Sequence, residues 1–407
     1  MPRLPCFLHC TLVALLFVPG LAWAQSSGTA SASRPAVAAP RPAPIASIFT
    51  DRAARVLAEE GVQAVYDLRW EEVARIAAAL DARDPQHPAA PFLRGMATHW
   101  RILIDLTNAQ YDPHLMRQMD EVVRRADARL DRNRNDFDAR FFRGAALAFQ
   151  GRLKGNRSEY VDAARKGRAA MSDVMAVSKR DPDNPDFGFG RGLYDYYADV
   201  VRERYVFARP LLFFFPDADR ARGLAALRRA AEQGTFMRTE AAYFLSQIYH
   251  VYEDDYAESM RYTQMLRARH PQNPFFLALE GRIEGRWGRW AESRRAFEAV
   301  LAAYDAGRPE YVGLAEQALY YLARADMGNA QFEAALEHLA RLETLTSRFP
   351  AHSPSYYRVH GRLRQGMALD ALGRRAEAEA RYREVIEMTD YGGTRDRARR
   401  DLERPYQ

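Results

Sequence analysis

From Ile48 onward, apolar residues recur every three or four positions, Ala, Leu, Arg and Glu dominate, and β-branched alternation is almost absent. That period belongs to amphipathic helices, and strands are not expected. Clusters of Pro, Asn and Asp recur at 84–88, 131–138, 181–185 and 270–274. Each ends one helix and starts the next. Shortly after each comes a glycine inside an apolar run: Gly95, Gly144, Gly192 and Gly281. A glycine inside a helix costs about 1 kcal/mol against alanine, so its return at one phase predicts a place where two helices approach too closely for a side chain.

The carboxy-terminal half is the more regular. Tyr256, Trp290, Phe332 and Arg375 are separated by 34, 42 and 43 residues, and each begins a second helix after a turn such as the one holding Gly288. With Gly281, Gly288, Trp290, Phe297 and Val300, and again with Gly366, Gly373, Ala378, Tyr382 and Val385, the chain resembles the tetratricopeptide repeat family, in particular its exported bacterial members. Arg375 departs from the usual aromatic. The resemblance implies an all-α, right-handed α-solenoid of about eight helical hairpins. Four units are expected at 240–273, 274–307, about 316–349 and 359–392, with longer irregular hairpins before about 238, where Gly95, Gly144 and Gly192 lie 49 and 48 apart. An arginine-rich helix from Thr394 to Glu403 is expected to cap the stack. No single hairpin buries its own apolar face, so stacking supplies the core.

The first residues read differently. Arg3, a short apolar core from Cys10 to Val18 and the Ala22-Trp23-Ala24 site make 1–24 an expected signal peptide, followed by an Ala/Pro/Ser-rich linker over 25–47 and a single solenoid over 48–407. Both cysteines, Cys6 and Cys10, fall in the targeting segment, so the exported chain would carry no thiol, as suits an oxidising compartment. The expected location is the periplasm or the outer surface of a bacterial envelope.

The 407 residues include 59 Lys plus Arg against 53 Asp plus Glu, a net charge of +6. That balance is dilute, and no run of five like charges marks a nucleic-acid tail. No 18-residue apolar run marks a transmembrane span. The familiar catalytic motifs are absent, so neither enzyme activity nor a cofactor is expected. Gly188-x-Gly190-x-Gly192 has no preceding strand and reads as helix packing. His250 with Glu253, Asp254 and Asp255 reads as the charged start of a helix in preference to a metal site.

The family resemblance implies a concave groove lined by the first helix of each unit. Carried over by position, it would present Phe244, Ile248, Tyr252, Phe275, Arg282, Arg286, Gln317, Tyr320, Arg324, His360, Leu363 and Met367. Arg282 and Arg324 share a phase, and guanidinium groups beside aromatics suit a carboxylate, such as an acidic segment or a free C-terminus. The expected function is a non-enzymatic scaffold that binds a protein or peptide. The alternatives are a ligand-binding repeat serving a solute transporter, or a membrane-docking protein. The last would use the 205–216 segment, where Leu211, Leu212, Phe213, Phe214 and Phe215 stand between two prolines and form either internal packing or a peripheral docking surface.

Overall fold

The computed structural model describes residues 44–204, 217–350 and 355–406. They form successive antiparallel helix pairs with no strand among them. In chain order these are α1 (Arg52–Tyr66) with α2 (Trp70–Arg83), α3 (Ala89–Ile104) with α4 (Asp112–Arg132), α5 (Phe137–Asn156) with α6 (Tyr160–Arg180), and α7 (Pro185–Arg204) with α8 (Arg220–Gln233). Then come α9 (Arg238–Val251) with α10 (Tyr256–Arg269), α11 (Pro274–Arg286) with α12 (Trp290–Asp305), α13 (Val312–Gly328) with α14 (Phe332–Thr346), and α15 (Tyr356–Ala371) with α16 (Arg375–Glu387). A last helix, α17 (Thr394–Glu403), closes the stack. The fold is an all-α solenoid of eight hairpins with a capping helix. The expected signal peptide, the linker up to residue 43 and Leu211 to Phe215 lie outside the described residues.

One backbone device makes six of the hairpins. Two residues before the second helix, Leu68, Ser158, Asp254, Gly288, Ala330 and Gly373 have φ of 59, 63, 50, 85, 56 and 73°. The next amide reaches back to close the first helix: Arg69 to the Ala64 carbonyl, Arg289 to Glu284, Gln331 to Asp326 and Arg374 to Leu369, each at 2.9 Å. This is the Schellman closure, which needs a left-handed residue. An aromatic opens the second helix in five of them, at Trp70, Tyr160, Tyr256, Trp290 and Phe332. Arg375 takes that place in the last hairpin for a visible reason. Its guanidinium holds Asp370 at 3.0 Å and donates to the Asp401 carbonyl at 2.8 Å, so it fastens the capping helix.

Between hairpins, the proline and asparagine clusters form tight turns. His87, Asp136, Asn184 and Asn273 donate their amides to the carbonyls of Asp84, Asn133, Asp181 and His270. Asp136 and Asn273 then cap the helices that follow. The recurrent glycine does mark close approach within a hairpin: a Cβ at Gly281 would lie 2.8 Å from the Phe297 ring, and one at Gly366 2.5 Å from the Tyr382 ring.

The solenoid curls back on itself. Tyr66, at the end of α1, donates its hydroxyl to Glu240 on α9 at 2.8 Å, and its carbonyl accepts from Asn273 at 2.7 Å. Asp67 meets the His270 ring at 2.7 Å. Trp100 of α3 is fully buried, with its ring 5.2 Å from Phe275 and 5.5 Å from Phe276. One continuous core therefore runs from Ile45 to Tyr357, and a smaller cluster around Tyr382 lies under α17.

The solenoid also begins earlier than the sequence suggests. Ile45 is 1% exposed and donates to Asp84 at 3.1 Å, while Ser47 and Ile48 donate to Asp138 at 2.6 and 2.5 Å. Residues 45–47, read as linker from their Ala/Pro/Ser surroundings, are packed because two buried carboxylates need these backbone and hydroxyl donors.

Candidate functional site

Curling forms a partly open chamber of about 610 Å³ between the inner helices of the second half and the 103–107 turn at the end of α3. Its shape depends on contact between the two halves of the chain. A Cβ on Gly313 would lie 2.4 Å from the Ile104 carbonyl oxygen, so the start of α13 sits directly on the end of α3. Next to it, Arg348 holds Asp105 at 3.0 Å and also pairs with Glu316.

The chamber is lined by Arg152, Arg282, Arg286 and Arg324 against the carboxylates of Asp105 and Glu316. Arg282 lies over the Phe275 ring at 5.9 Å, and Arg324 over Trp290 and Tyr321 at 5.0 and 5.2 Å. Among the described residues neither has a carboxylate within ion-pair distance. Arg152 also lines the chamber, but it is matched by Glu240 at 2.8 Å. Gln247 Nε2, Asn156 Nδ2 and His250 Nδ1 are buried on its wall with no hydrogen-bond partner among the described residues. Burial, with Arg282 and Arg286 adding to it, pushes the His250 ring down to about 3. Burial together with Arg364 and Arg324 pushes His360 down to about 4. Both rings are neutral near pH 7, and since only His250 lines the chamber, its positive charge is guanidinium. Two unpaired guanidinium groups and unpartnered donors form a site complementary to a carboxylate or another compact anion.

Of the residues placed in the groove by sequence, Phe244, Tyr252, Phe275, Arg282, Arg286, Gln317 and Arg324 line this one chamber. Arg286 stands at its rim, engaged by Asp254 at 3.1 Å. Ile248, between Phe244 and Tyr252 on the same stripe, is completely buried and does not line the chamber. Tyr320 is 3% exposed and lies behind the chamber wall under Arg364 and Arg324. His360, Leu363 and Met367 border a separate shallow pocket beside Gly392 and Arg397. The acids near His250 have other work. Glu253 accepts from Tyr196 and Arg220, Asp254 pairs with Arg286, and Asp255 caps α10.

Sequence reasoning missed Arg152, Asn156, Gln247, Tyr357 and the 103–107 turn. Gln247 had a signal, since it follows Phe244 by three and therefore shares its stripe. Arg152 and Asn156 had none, because only the curl of the solenoid brings α5 against α9.

No protein-family model matches the chain, and no curated protein matches it. Among solved structures it is similar to the crystal structure of yeast Tom70, with 10% identity over 88% of this chain and 89% of that one and a TM-score of 0.42.

Proposed function

We propose that this is a non-enzymatic helical-repeat binding protein of a bacterial cell envelope, and that it recognises a carboxylate within its interior chamber. The observation behind this reading is the pair Arg282 and Arg324, which line one cavity and, among the described residues, have no carboxylate within ion-pair distance. In the first form of the reading the carboxylate is the free C-terminus or acidic end of a peptide or protein partner, and the protein acts as a scaffold. In the second it belongs to a small solute delivered to a transporter. The narrowing of the chamber by the end of α3 favours the second.

Titration with short peptides that differ only in a free or amidated C-terminus tests the chamber. The free acids should bind more tightly, with a salt-sensitive affinity, and Arg282→Ala with Arg324→Ala should abolish the difference. Equal binding of acids and amides would reject the reading. For the location, intact mass of the chain recovered from the envelope should give a start at Gln25; an uncleaved cytoplasmic chain would reject export.

A further inference from the structure

A second cavity adjoins the chamber. It is a cleft of about 250 Å³ among α5, α6 and α7, and its exposed lining is almost wholly apolar. Small residues line it on two sides, Gly144, Ala145 and Ala148 on α5 and Gly167 and Ala170 on α6, and α6 packs far more closely on α5 than on α7. Phe149, Met171, Val174, Phe189 and Leu193 line the space and remain only half buried. An apolar recess left this open in a folded chain is unfavourable unless something fills it.

What fills it is indicated by its neighbour. Arg152, Tyr197 and Phe244 line both the cleft and the arginine chamber. The side chains between them are packed as one shared wall. Phe189 lies 5.9 Å from Phe244, Arg152 stacks over Phe244 at 5.0 Å and Tyr243 at 5.5 Å, and Tyr243 lies 5.8 Å from Phe275, beneath Arg282. An apolar recess thus borders a cationic one across a single layer of side chains.

We propose that the two cavities form one site for an amphipathic anion: a carboxylate held by Arg282 and Arg324, carried on a long hydrocarbon chain that lies in the α5–α7 cleft. This rests on the carboxylate reading of the chamber and selects the second of its two carriers. A hydrocarbon acid suits the pairing because each methylene taken from water adds to affinity without needing a donor or acceptor from the cleft wall, which offers few. Arg152, already balanced by Glu240, adds a polar group to the shared wall without a further unpaired charge.

Calorimetric titration of the full chain with hexadecanoate, octanoate and hexadecanol, each kept below its aggregation threshold, tests the site. Hexadecanoate should bind at least a hundredfold more tightly than octanoate, and hexadecanol weakly. Ala148→Trp fills the cleft from its exposed side and should weaken hexadecanoate at least tenfold while leaving octanoate unchanged. Leu193→Ser, which makes the lining polar without filling it, should act in the same direction and guards against a folding defect in the first variant. Hexadecanoate bound no better than octanoate, or bound equally by both cleft variants, would overturn this inference and leave the chamber reading standing. Hexadecanoate bound unchanged by the Arg282→Ala, Arg324→Ala chain would overturn both.

Discussion

Arg348 spans 243 positions of sequence to bind Asp105, with Nη2 at 3.1 and 3.0 Å from the two carboxylate oxygens. Its other terminal nitrogen holds Glu316, whose side chain is 1% exposed. One guanidinium therefore neutralises two largely buried carboxylates from opposite halves of the chain, at the point where the solenoid closes. Removing one partner of a buried charge group costs about 3–5 kcal/mol, far more than a surface pair. Arg348→Ala should lose stability on that scale in urea unfolding. A loss below about 1 kcal/mol would mean that this contact does not hold the ends together.

The same cluster predicts a pH dependence. Burial lifts the Glu316 carboxyl to about 7, with Arg348 opposing the rise. Between about 4.5 and about 7 the folded chain then keeps a proton that the unfolded chain has released. Stability from this group is thus complete below about 4.5 and lost as pH rises through about 7. A shift of that size corresponds to on the order of 3 kcal/mol. Glu316→Gln should flatten the fall in unfolding free energy between pH 5 and pH 8 relative to the parent chain. Parallel pH profiles for the two proteins would reject the assignment.

The hairpin turns give a third prediction, of both signs. Ala330 is exposed and adopts φ of 56°, a conformation that costs an L-residue roughly 1–2 kcal/mol, whereas Gly288 occupies the same place at 85° with open space around it. Ala330→Gly should stabilise the protein by roughly 1 kcal/mol, and Gly288→Ala should destabilise it by a similar amount. Both are read as shifts in denaturation midpoint at constant slope. A stabilising Gly288→Ala would contradict the shared turn.

These turns also explain what the sequence could convey. Gly288-x-Trp290 and Gly373-x-Arg375 announce their hairpins because glycine is the residue that a left-handed turn prefers. Leu68-x-Trp70 and Ser158-x-Tyr160 build the same turn without glycine, so only the aromatic two places on could have revealed it. The shared phase of Arg282 and Arg324 was legible, since residues at one phase of stacked repeats face one surface. Their enclosure was not. It depends on Tyr66 meeting Glu240 and Gly313 meeting Ile104, contacts between remote segments that leave no local spacing to read. For the same reason the concave surface expected to be an open groove is partly occupied by α3.

Trp100 tests that occupation most directly. Its ring is fully buried among Tyr66, Tyr243, Phe275 and Phe276, with centroid separations of 5.2 to 6.0 Å, and it joins the amino-terminal hairpins to α9 and α11. Truncating a buried aromatic of this size typically costs about 3–5 kcal/mol. Because Leu103 and Ile104, one turn further along α3, line the chamber, Trp100→Ala should also loosen the chamber wall. Ligand capture should fall together with the melting temperature, and amide exchange in α9 and α11 should rise. The Arg282→Ala, Arg324→Ala chain differs, since it should lose capture at an unchanged melting temperature. Trp100→Phe, which keeps a ring in place, should fall between the parent and Trp100→Ala in both measurements. If Trp100→Ala melted within a degree of the parent chain, α3 would not be the wedge that shapes the concave face, and the chamber would have to be formed by α9, α11 and α13 alone.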